Sequence, residues 1–90
     1  MNDTLDKVAV ITGAGSGLGA ATARRFHREG WRLVLGDLRP EGVQALAQEL
    51  GATALACDVA DEDRVAALVQ AALNLHGRLD CMINNAGILG

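Results

Sequence analysis

The residues most suited to chemistry in this sequence form a glycine-rich segment near its start. Glycines occupy positions 13, 15, 17 and 19, directly after an apolar run that ends at Thr12. Backbone N–H groups at a strand-to-helix turn of this kind attract a pyrophosphate. Glycines permit the tight turn, let a phosphate approach the main chain and let the helix pack closely on the strand. The segment therefore predicts a phosphate-binding loop, with a flexible turn as the plainer alternative.

One acidic residue follows at a distance that matters for this loop. Asp37 ends the next apolar run, 20 residues after Gly17. An acid roughly 20 residues beyond such glycines binds the ribose hydroxyls of a dinucleotide. The carboxylate would accept both adenosine-ribose hydroxyls and repel a 2′-phosphate, which favours NAD over NADP. Arg39 would soften that preference, because an arginine near this point accommodates a phosphate. The alternative for Asp37 is a solvated acid at a strand end.

The hydrophobic pattern predicts the elements that position these residues. Short runs rich in apolar residues predict four strands, over Val8 to Thr12, Arg32 to Gly36, Thr53 to Cys57 and Leu79 to Asn84. Helical spacing predicts three helices, from about Gly17 to Glu29, from Pro40 to Leu50, and from an Asp61 cap to His76. Alternating strands and helices indicate a parallel sheet with right-handed crossovers and helices on its faces.

Composition excludes several classes of protein. The 90 residues are 50% apolar and 21% charged with a single proline, which predicts one folded domain rather than a disordered chain. The net charge of −3 argues against a nucleic-acid partner. The only lysine, Lys7, precedes the glycines, so the chain has no P-loop lysine.

The cysteines and histidines predict no metal site and no disulfide framework. Cys57 and Cys81 have no metal-type spacing with each other or with His27 and His76, and we expect both thiols to be reduced and buried. His27 is expected to be exposed, and His76 to end a helix. The first residues lack a secretory signal pattern, and no apolar run approaches the ~18 residues of a membrane helix. We therefore expect a soluble, cytoplasmic protein without a membrane partner.

Four motifs in register resemble the N-terminal half of a short-chain dehydrogenase/reductase. They cover residues 7–90 and comprise the glycine segment Thr12 to Gly19, Asp37, Asp58-Val59, and Asn84-Asn85-Ala86-Gly87. The resemblance implies that residues 1–90 form a single, truncated dinucleotide-binding domain. Its implied fold is an incomplete α/β Rossmann-type doubly wound parallel sheet of strand order 3-2-1-4. We expect the first and second helices on opposite sides of the strand-order reversal.

The resemblance also implies a role for each matched position. The phosphates would be lined by Gly13, Ser16, Gly17, Leu18 and Gly19. The ribose would bind Asp37, and the adenine would contact the Asp58 carboxylate and the Val59 main chain. The ribose and nicotinamide would lie beside Asn85, Ala86, Gly87 and Ile88. Alternatively, Asn84 and Asn85 are turn residues that hydrogen-bond neighbouring main chain.

The absence of the family's catalytic residues limits the expected function of this chain. The catalytic Tyr-x-x-x-Lys pair that the resemblance implies, with its Ser and a further Asn, would lie downstream of the matched region, and the sequence has no tyrosine. No catalytic residue is assigned, because without that acid the chain should bind NAD(P) but not transfer hydride to or from an alcohol or carbonyl.

The end of the sequence, at Ile88-Leu89-Gly90 just past a strand, favours a fragment of an oxidoreductase that is a homo-oligomer at full length. Two alternatives stay open. One is a free-standing nucleotide-binding module. The other is a non-functional remnant whose fourth strand, exposed at a sheet edge, promotes association.

Overall fold

The computed structural model of the protein describes residues 7–15, 17–58 and 61–85. Strands and helices alternate along the chain, as the hydrophobic pattern predicts. The elements are β1 (Val8–Thr12), α1 (Gly17–Arg28), β2 (Arg32–Asp37), α2 (Pro40–Leu50), β3 (Thr53–Ala56), α3 (Glu62–His76) and β4 (Cys81–Asn84).

Three strand boundaries differ from the prediction. β2 includes Asp37, and β3 ends at Ala56, one residue before the predicted Cys57. β4 begins at Cys81 instead of Leu79. The Asp80 carboxylate accepts the Val8 N–H at 2.8 Å, so a side chain replaces a backbone carbonyl as the acceptor where the ladder would otherwise begin.

The four strands form a parallel sheet of order β3-β2-β1-β4. β1 is central, and its Ala9 pairs with Leu33 of β2 and with Cys81 of β4. The chain adds β2 and β3 on one side of β1 and then crosses back to place β4 on the other. In such a sheet, ligands bind outside the carboxyl ends of the strands at the point where the order reverses. The predicted α/β class and strand order are confirmed.

Each face of the sheet carries its own apolar core. Ala9 and Ile11 of β1 pack towards Ala23 of α1 and Leu46 of α2. Side chains alternate along a strand, so Val8 and Val10 belong to the other face, where α3 supplies the covering residues Leu68 and Ala72. Every residue of β1 is buried, as expected for a strand covered on both faces.

One prediction about the helices is wrong. α1 and α2 both contribute to the same core and so lie on one face, instead of on opposite sides of the strand-order reversal. The reason is the handedness of the crossovers. Two right-handed crossovers that advance in the same direction place their helices on the same face. Only the returning crossover from β3 to β4 places its helix, α3, on the other face.

Local contacts end α1 where the sequence predicts. Gly30 adopts a left-handed conformation with φ of 91°. Its N–H donates to the His27 carbonyl at 3.0 Å, and the Trp31 N–H donates to the Phe26 carbonyl at 3.1 Å, which is a Schellman arrangement. The rings of Phe26 and Trp31 then meet edge to face, with centroids 4.8 Å apart. This closure directs the chain from α1 into β2.

Candidate functional site

The glycine-rich loop passes so close to the start of α1 that one position can only be glycine. A Cβ on Gly19 would overlap the carbonyl oxygen of Gly13 and lie 2.8 Å from the Cα of Ala14. The buried Ala14 also donates its N–H to the Gly36 carbonyl at 3.2 Å, which ties the loop to the end of β2. The loop is therefore held between the first helix and the second strand.

The opposite situation holds at Gly17, the first residue of α1. Gly17 is exposed, and a Cβ built on it would meet no atom within 4 Å. Leu18 beside it is also exposed, at 56%. The N–H groups in the first turn of a helix favour an anion. Ser16, which was predicted to line the phosphates, lies outside the described residues.

Asp37 is connected to the loop by a direct hydrogen bond. Its Oδ2 accepts the N–H of Gly15 at 2.8 Å, and its Oδ1 accepts the N–H of Arg39 at 2.9 Å. A carboxylate has about four lone-pair sites, so both oxygens retain capacity for further donors. Asp37 lines a cleft together with Gly15, Arg39, Glu41 and Gly42.

The contact from Gly15 was not foreseen. A Cβ on Gly15 would lie 3.0 Å from Asp37 Oδ2, so the absence of a side chain lets the loop and the acid approach each other. The only signal in the sequence was an additional glycine between Gly13 and Gly17. Spacing along the chain does not show which strand end a loop residue will contact.

A second cleft lies at the end of β3. Its lining is Leu38, Ala56, Cys57, Asp58 and Arg64, and we call these five residues the base cleft. Asp58 is exposed, and its predicted neighbour Val59 lies outside the described residues. The Cys57 N–H donates to the Asp37 carbonyl at 2.9 Å, which joins the base cleft to the acid at the end of β2.

The two cysteines differ in their surroundings. Burial, followed by the negative charges of Asp58 and Asp61, raises the pKa of the Cys57 thiol. A raised pKa keeps the thiol protonated and unreactive. Cys57 is buried as expected, but Cys81 is only half-buried because β4 lies beside a single neighbouring strand among those described.

The end of β4 supplies two asparagines with different roles. Asn84 Oδ1 accepts the hydroxyl of the buried Thr12 at 2.6 Å, so this side chain joins the ends of β1 and β4. Asn85 is only 5% exposed, and its Nδ2 has no hydrogen-bond partner in the described part of the chain. A buried donor without a partner is costly and points to a missing acceptor. Ala86, Gly87 and Ile88 lie outside the described residues.

The carboxyl edge of the sheet thus gathers the predicted residues that the structure describes. The loop of Gly13 follows β1, Asp37 ends β2, Asp58 follows β3 and Asn85 follows β4. The histidines belong elsewhere. His27 is exposed and His76 ends α3, as predicted, and both line a cleft with Trp31, which precedes β2.

Two other kinds of site are not found. In residues 7–15, 17–58 and 61–85, no three His, Cys, Asp or Glu residues are grouped so that they could hold a metal ion. Within the same ranges, no helix has the length and apolar character needed to cross a bilayer.

The residues at this edge fit a dinucleotide. The open surface at Gly17 admits a phosphate to the helix start, and Asp37 retains acceptor capacity for ribose hydroxyls. The unpartnered Nδ2 of Asn85 offers a buried donor. The candidate site thus consists of main-chain groups, a neutral amide and an acid. This composition is expected where the affinity for phosphate comes from backbone N–H groups and the helix dipole.

Comparisons with known proteins agree with this geometry. Tropinone reductase-like 2 from Erythroxylum coca is 49% identical over 85 residues, which is 92% of this chain and 31% of that protein. The crystal structure of a 3-ketoacyl-(acyl-carrier-protein) reductase from Brucella melitensis complexed with NADH is 43% identical, with a TM-score of 0.81, and the match covers 87% of this chain and 34% of that one.

A second solved structure, a short chain dehydrogenase/reductase from Burkholderia phymatum in complex with NAD, is 37% identical with a TM-score of 0.82. That match covers 91% of this chain and 31% of the other. The chain thus spans about a third of the length of the relatives that it matches. The family model for short chain dehydrogenases matches residues 7–90. Since that match covers almost the whole sequence, the chain belongs to the short chain dehydrogenase family.

Proposed function

We propose that this chain is the dinucleotide-binding portion of an oxidoreductase that transfers hydride between a nicotinamide cofactor and an alcohol or carbonyl substrate. We further propose that residues 1–90 act as one domain and that NAD is preferred to NADP. The family and the relatives bound to NADH and NAD support a nicotinamide cofactor. The preference for NAD rests on this chain's own residues.

The observation that carries the proposal is the position of the Asp37 carboxylate. It lies at the carboxyl edge of the sheet, 2.8 Å from the N–H of Gly15 in the phosphate-binding loop. A ribose held by Asp37 would therefore lie next to phosphates held by the loop, as a dinucleotide requires. A 2′-phosphate would bring a second negative charge against the carboxylate.

The remaining site residues receive roles from their positions. The phosphates would lie against Gly13 and the start of α1 at Gly17, Leu18 and Gly19, and Asp58 would accept from the adenine amino group. Asn85 would donate from its buried Nδ2 near the ribose and nicotinamide. The roles that the family resemblance implies for the positions outside the described residues stay proposals, namely Ser16, Val59, Ala86, Gly87 and Ile88.

The chain's own residues bind and orient a cofactor, and they supply no proton to a substrate. When bound, the nicotinamide ring supplies the hydride donor or acceptor. A carbonyl substrate also needs an acid of suitable pKa beside its oxygen, and the family's tyrosine is absent from these 90 residues. We therefore propose that the 90-residue chain by itself binds NADH but does not oxidise it.

Two finer statements complete the proposal. We propose a cytoplasmic location, which fits the two free thiols of Cys57 and Cys81. We also propose that the longer oxidoreductase is a homo-oligomer. Size-exclusion chromatography with light scattering on a full-length relative, such as one 49% identical to this chain, would test the proposed homo-oligomer.

Replacing Asp37 tests the cofactor assignment. Asp37→Ala should weaken NADH binding by roughly 1 to 3 kcal/mol, the range for a lost charged hydrogen bond. NADPH binding should weaken much less or improve, because a repulsive charge is removed. Isothermal titration calorimetry of the 90-residue chain with both cofactors measures the two changes.

The control variant is Glu29→Ala, which removes a carboxylate that pairs with Arg25 at the far end of α1. It should leave both affinities unchanged. Equal losses for NADH and NADPH in Asp37→Ala would contradict the role assigned to Asp37. Undetectable binding of NADH and ADP-ribose to the folded wild-type chain would overturn the whole proposal.

A further inference from the structure

The base cleft contains a residue that neither the motif pattern nor the proposed function requires. Arg64 lies in the first turn of α3, where the N–H groups of the helix carry a partial positive charge. A cation is disfavoured there, whereas the neighbours Glu62 and Asp63 are favoured. A residue that breaks a local rule often serves a function.

Among the ion pairs that join two described residues, that of Arg64 is the longest. Its Nε lies 3.9 Å from Asp61 Oδ2, and its side chain is 67% exposed. Arg24 and Arg78 approach their acidic partners to 2.8 and 2.6 Å. A pair at 3.9 Å is too long for a hydrogen bond, so Asp61 holds the guanidinium only by a weak, solvent-exposed ion pair.

The side chain of Arg64 is instead part of the base cleft. Arg64 lines the cleft with Ala56 and Cys57. Its positive charge is the smallest of the causes that act on the pKa of the Cys57 thiol, and it opposes the rise that burial causes.

A large apolar side chain lines the same cleft. Leu38 follows Asp37 directly and is 66% exposed, more than Leu18 or any other large hydrophobic residue in the described ranges. Leu38 comes from the loop after β2, Arg64 from α3, and Asp58 from the chain after β3. An apolar surface, a planar cation and a carboxylate acceptor together suit a flat, neutral heteroaromatic ring that carries an amino group.

We propose that Arg64 is a cofactor-affinity residue whose guanidinium stacks on the adenine ring, with Leu38 on the other side of the ring. This inference rests on the proposed function and adds a cationic stacking contact to it. The contact acts on the base and not on the phosphates, because Arg64 lines the base cleft while the loop of Gly15 and Asp37 lines a different cleft.

The test uses the 90-residue chain with 5′-AMP and ribose 5-phosphate as probes, titrated by NMR. Arg64→Ala should weaken 5′-AMP binding roughly two- to sixfold, the range for an exposed cation–π contact. Binding of ribose 5-phosphate should not change, because that probe has no base. Arg64→Lys should recover only part of the loss, since an ammonium does not stack as a planar guanidinium does. Intermolecular NOEs should join the adenine H2 or H8 proton to Leu38 methyl and Arg64 Hδ protons.

The matched control is Arg25→Ala, which removes another exposed helical arginine paired with a nearby acid. It should leave the binding of both probes unchanged. Equal losses for 5′-AMP and ribose 5-phosphate in Arg64→Ala would overturn the proposal in favour of a phosphate contact. A loss confined to 2′,5′-ADP would overturn it in favour of a 2′-phosphate contact. If the wild-type chain binds NADH, and Arg64→Ala binds 5′-AMP as tightly as the wild-type chain does, only this inference fails. A wild-type chain that binds no NADH contradicts the proposed function itself.

Discussion

Two glycines of the glycine-rich segment are glycines for different physical reasons. At Gly19 a side chain would collide with the backbone of Gly13 and Ala14, which cannot move without opening the loop. At Gly17 a side chain would meet nothing within 4 Å, and the backbone is helical. Packing within the chain therefore explains Gly19 but not Gly17. For Gly17 we propose the approach of a phosphate to the helix start as the reason.

The two positions should respond differently to the same substitution. Gly19→Ala should lower the free energy of unfolding by roughly 1 to 3 kcal/mol, as forced overpacking does. Gly17→Ala should leave that free energy unchanged or raise it by about 0.4 to 1 kcal/mol, because alanine restricts the unfolded chain. Gly17→Ala should nevertheless weaken NADH binding, since its methyl group occupies the phosphate approach. Urea unfolding and NADH fluorescence titration measure both quantities. Unchanged NADH affinity in a stable Gly17→Ala variant would contradict the role of the loop.

Between elements, β1 and β4 are joined by a charged contact that the hydrophobic pattern does not show. The carboxylate of Asp80, just before β4, accepts hydrogen bonds from the N–H of Val8 and from Nε and Nη2 of Arg78. Its backbone N–H also donates to the Val8 carbonyl at 2.9 Å. The hydrogen bonds from Arg78 and then from Val8 lower the pKa of the Asp80 carboxyl. The ionised carboxylate therefore stabilises the start of the β1–β4 ladder.

The lowered pKa predicts how stability depends on pH. A carboxyl group whose pKa is lower in the folded state stabilises the folded protein. Its full contribution is present at pH values above the pKa of the unfolded state, which is about 3.9 for Asp. That stabilisation is lost as the pH falls through the folded pKa. The difference in unfolding free energy between wild type and Asp80→Asn should be constant above about pH 5 and shrink below about pH 4. Urea unfolding from pH 3 to 7 measures this difference.

Arg78→Met provides the control, because it removes the largest cause of the lowered pKa. In that background the pH-dependent part of the Asp80→Asn effect should become smaller. If wild type and Asp80→Asn lose stability in parallel as the pH falls, the ionised Asp80 does not hold the strand junction.

At the scale of the whole molecule, the strands of the sheet are buried to different extents. β1 and β2 are buried by helices on both faces, whereas β4 alternates half-buried and exposed residues. Met82 is 38% exposed on the face of Val10, its partner in β1. Among the described strands, β4 pairs with β1 alone. A short edge strand with apolar side chains can pair with another chain.

The 90-residue chain on its own should therefore associate as its concentration rises. Met82→Lys should reduce that association, because a lysine on an edge strand disfavours pairing. Analytical ultracentrifugation over a range of concentrations compares the two chains. Leu75→Lys is the control, since Leu75 is also exposed but lies on α3 and not on the edge strand. A wild-type chain that stays monomeric throughout would contradict this role for β4.

The alternation of apolar runs was enough to predict the class and most element ends, whereas the strand order was implied by the family resemblance. Val8–Thr12 is uniformly apolar apart from Thr12, and glycines mark the helix ends, so the local pattern and the fold agree. Asp37 was predicted as a site residue for a local reason as well, because it ends a strand at a fixed distance from the loop. These features depend on residues that are near each other in sequence.

Other features were decided only when distant segments met. The side of the sheet on which α2 lies follows from the direction of successive crossovers, which no local pattern records. The hydrogen bond from Gly15 to Asp37 and the shared cleft of Leu38 and Arg64 join segments 22 and 26 residues apart. By itself the sequence determined the elements that carry the candidate site, namely the glycine-rich segment before α1 and the acid that ends β2, because propensity and periodicity act over a few residues. Only the tertiary structure decided which side chains surround that site, because those contacts depend on how the sheet and its crossovers bring distant residues together.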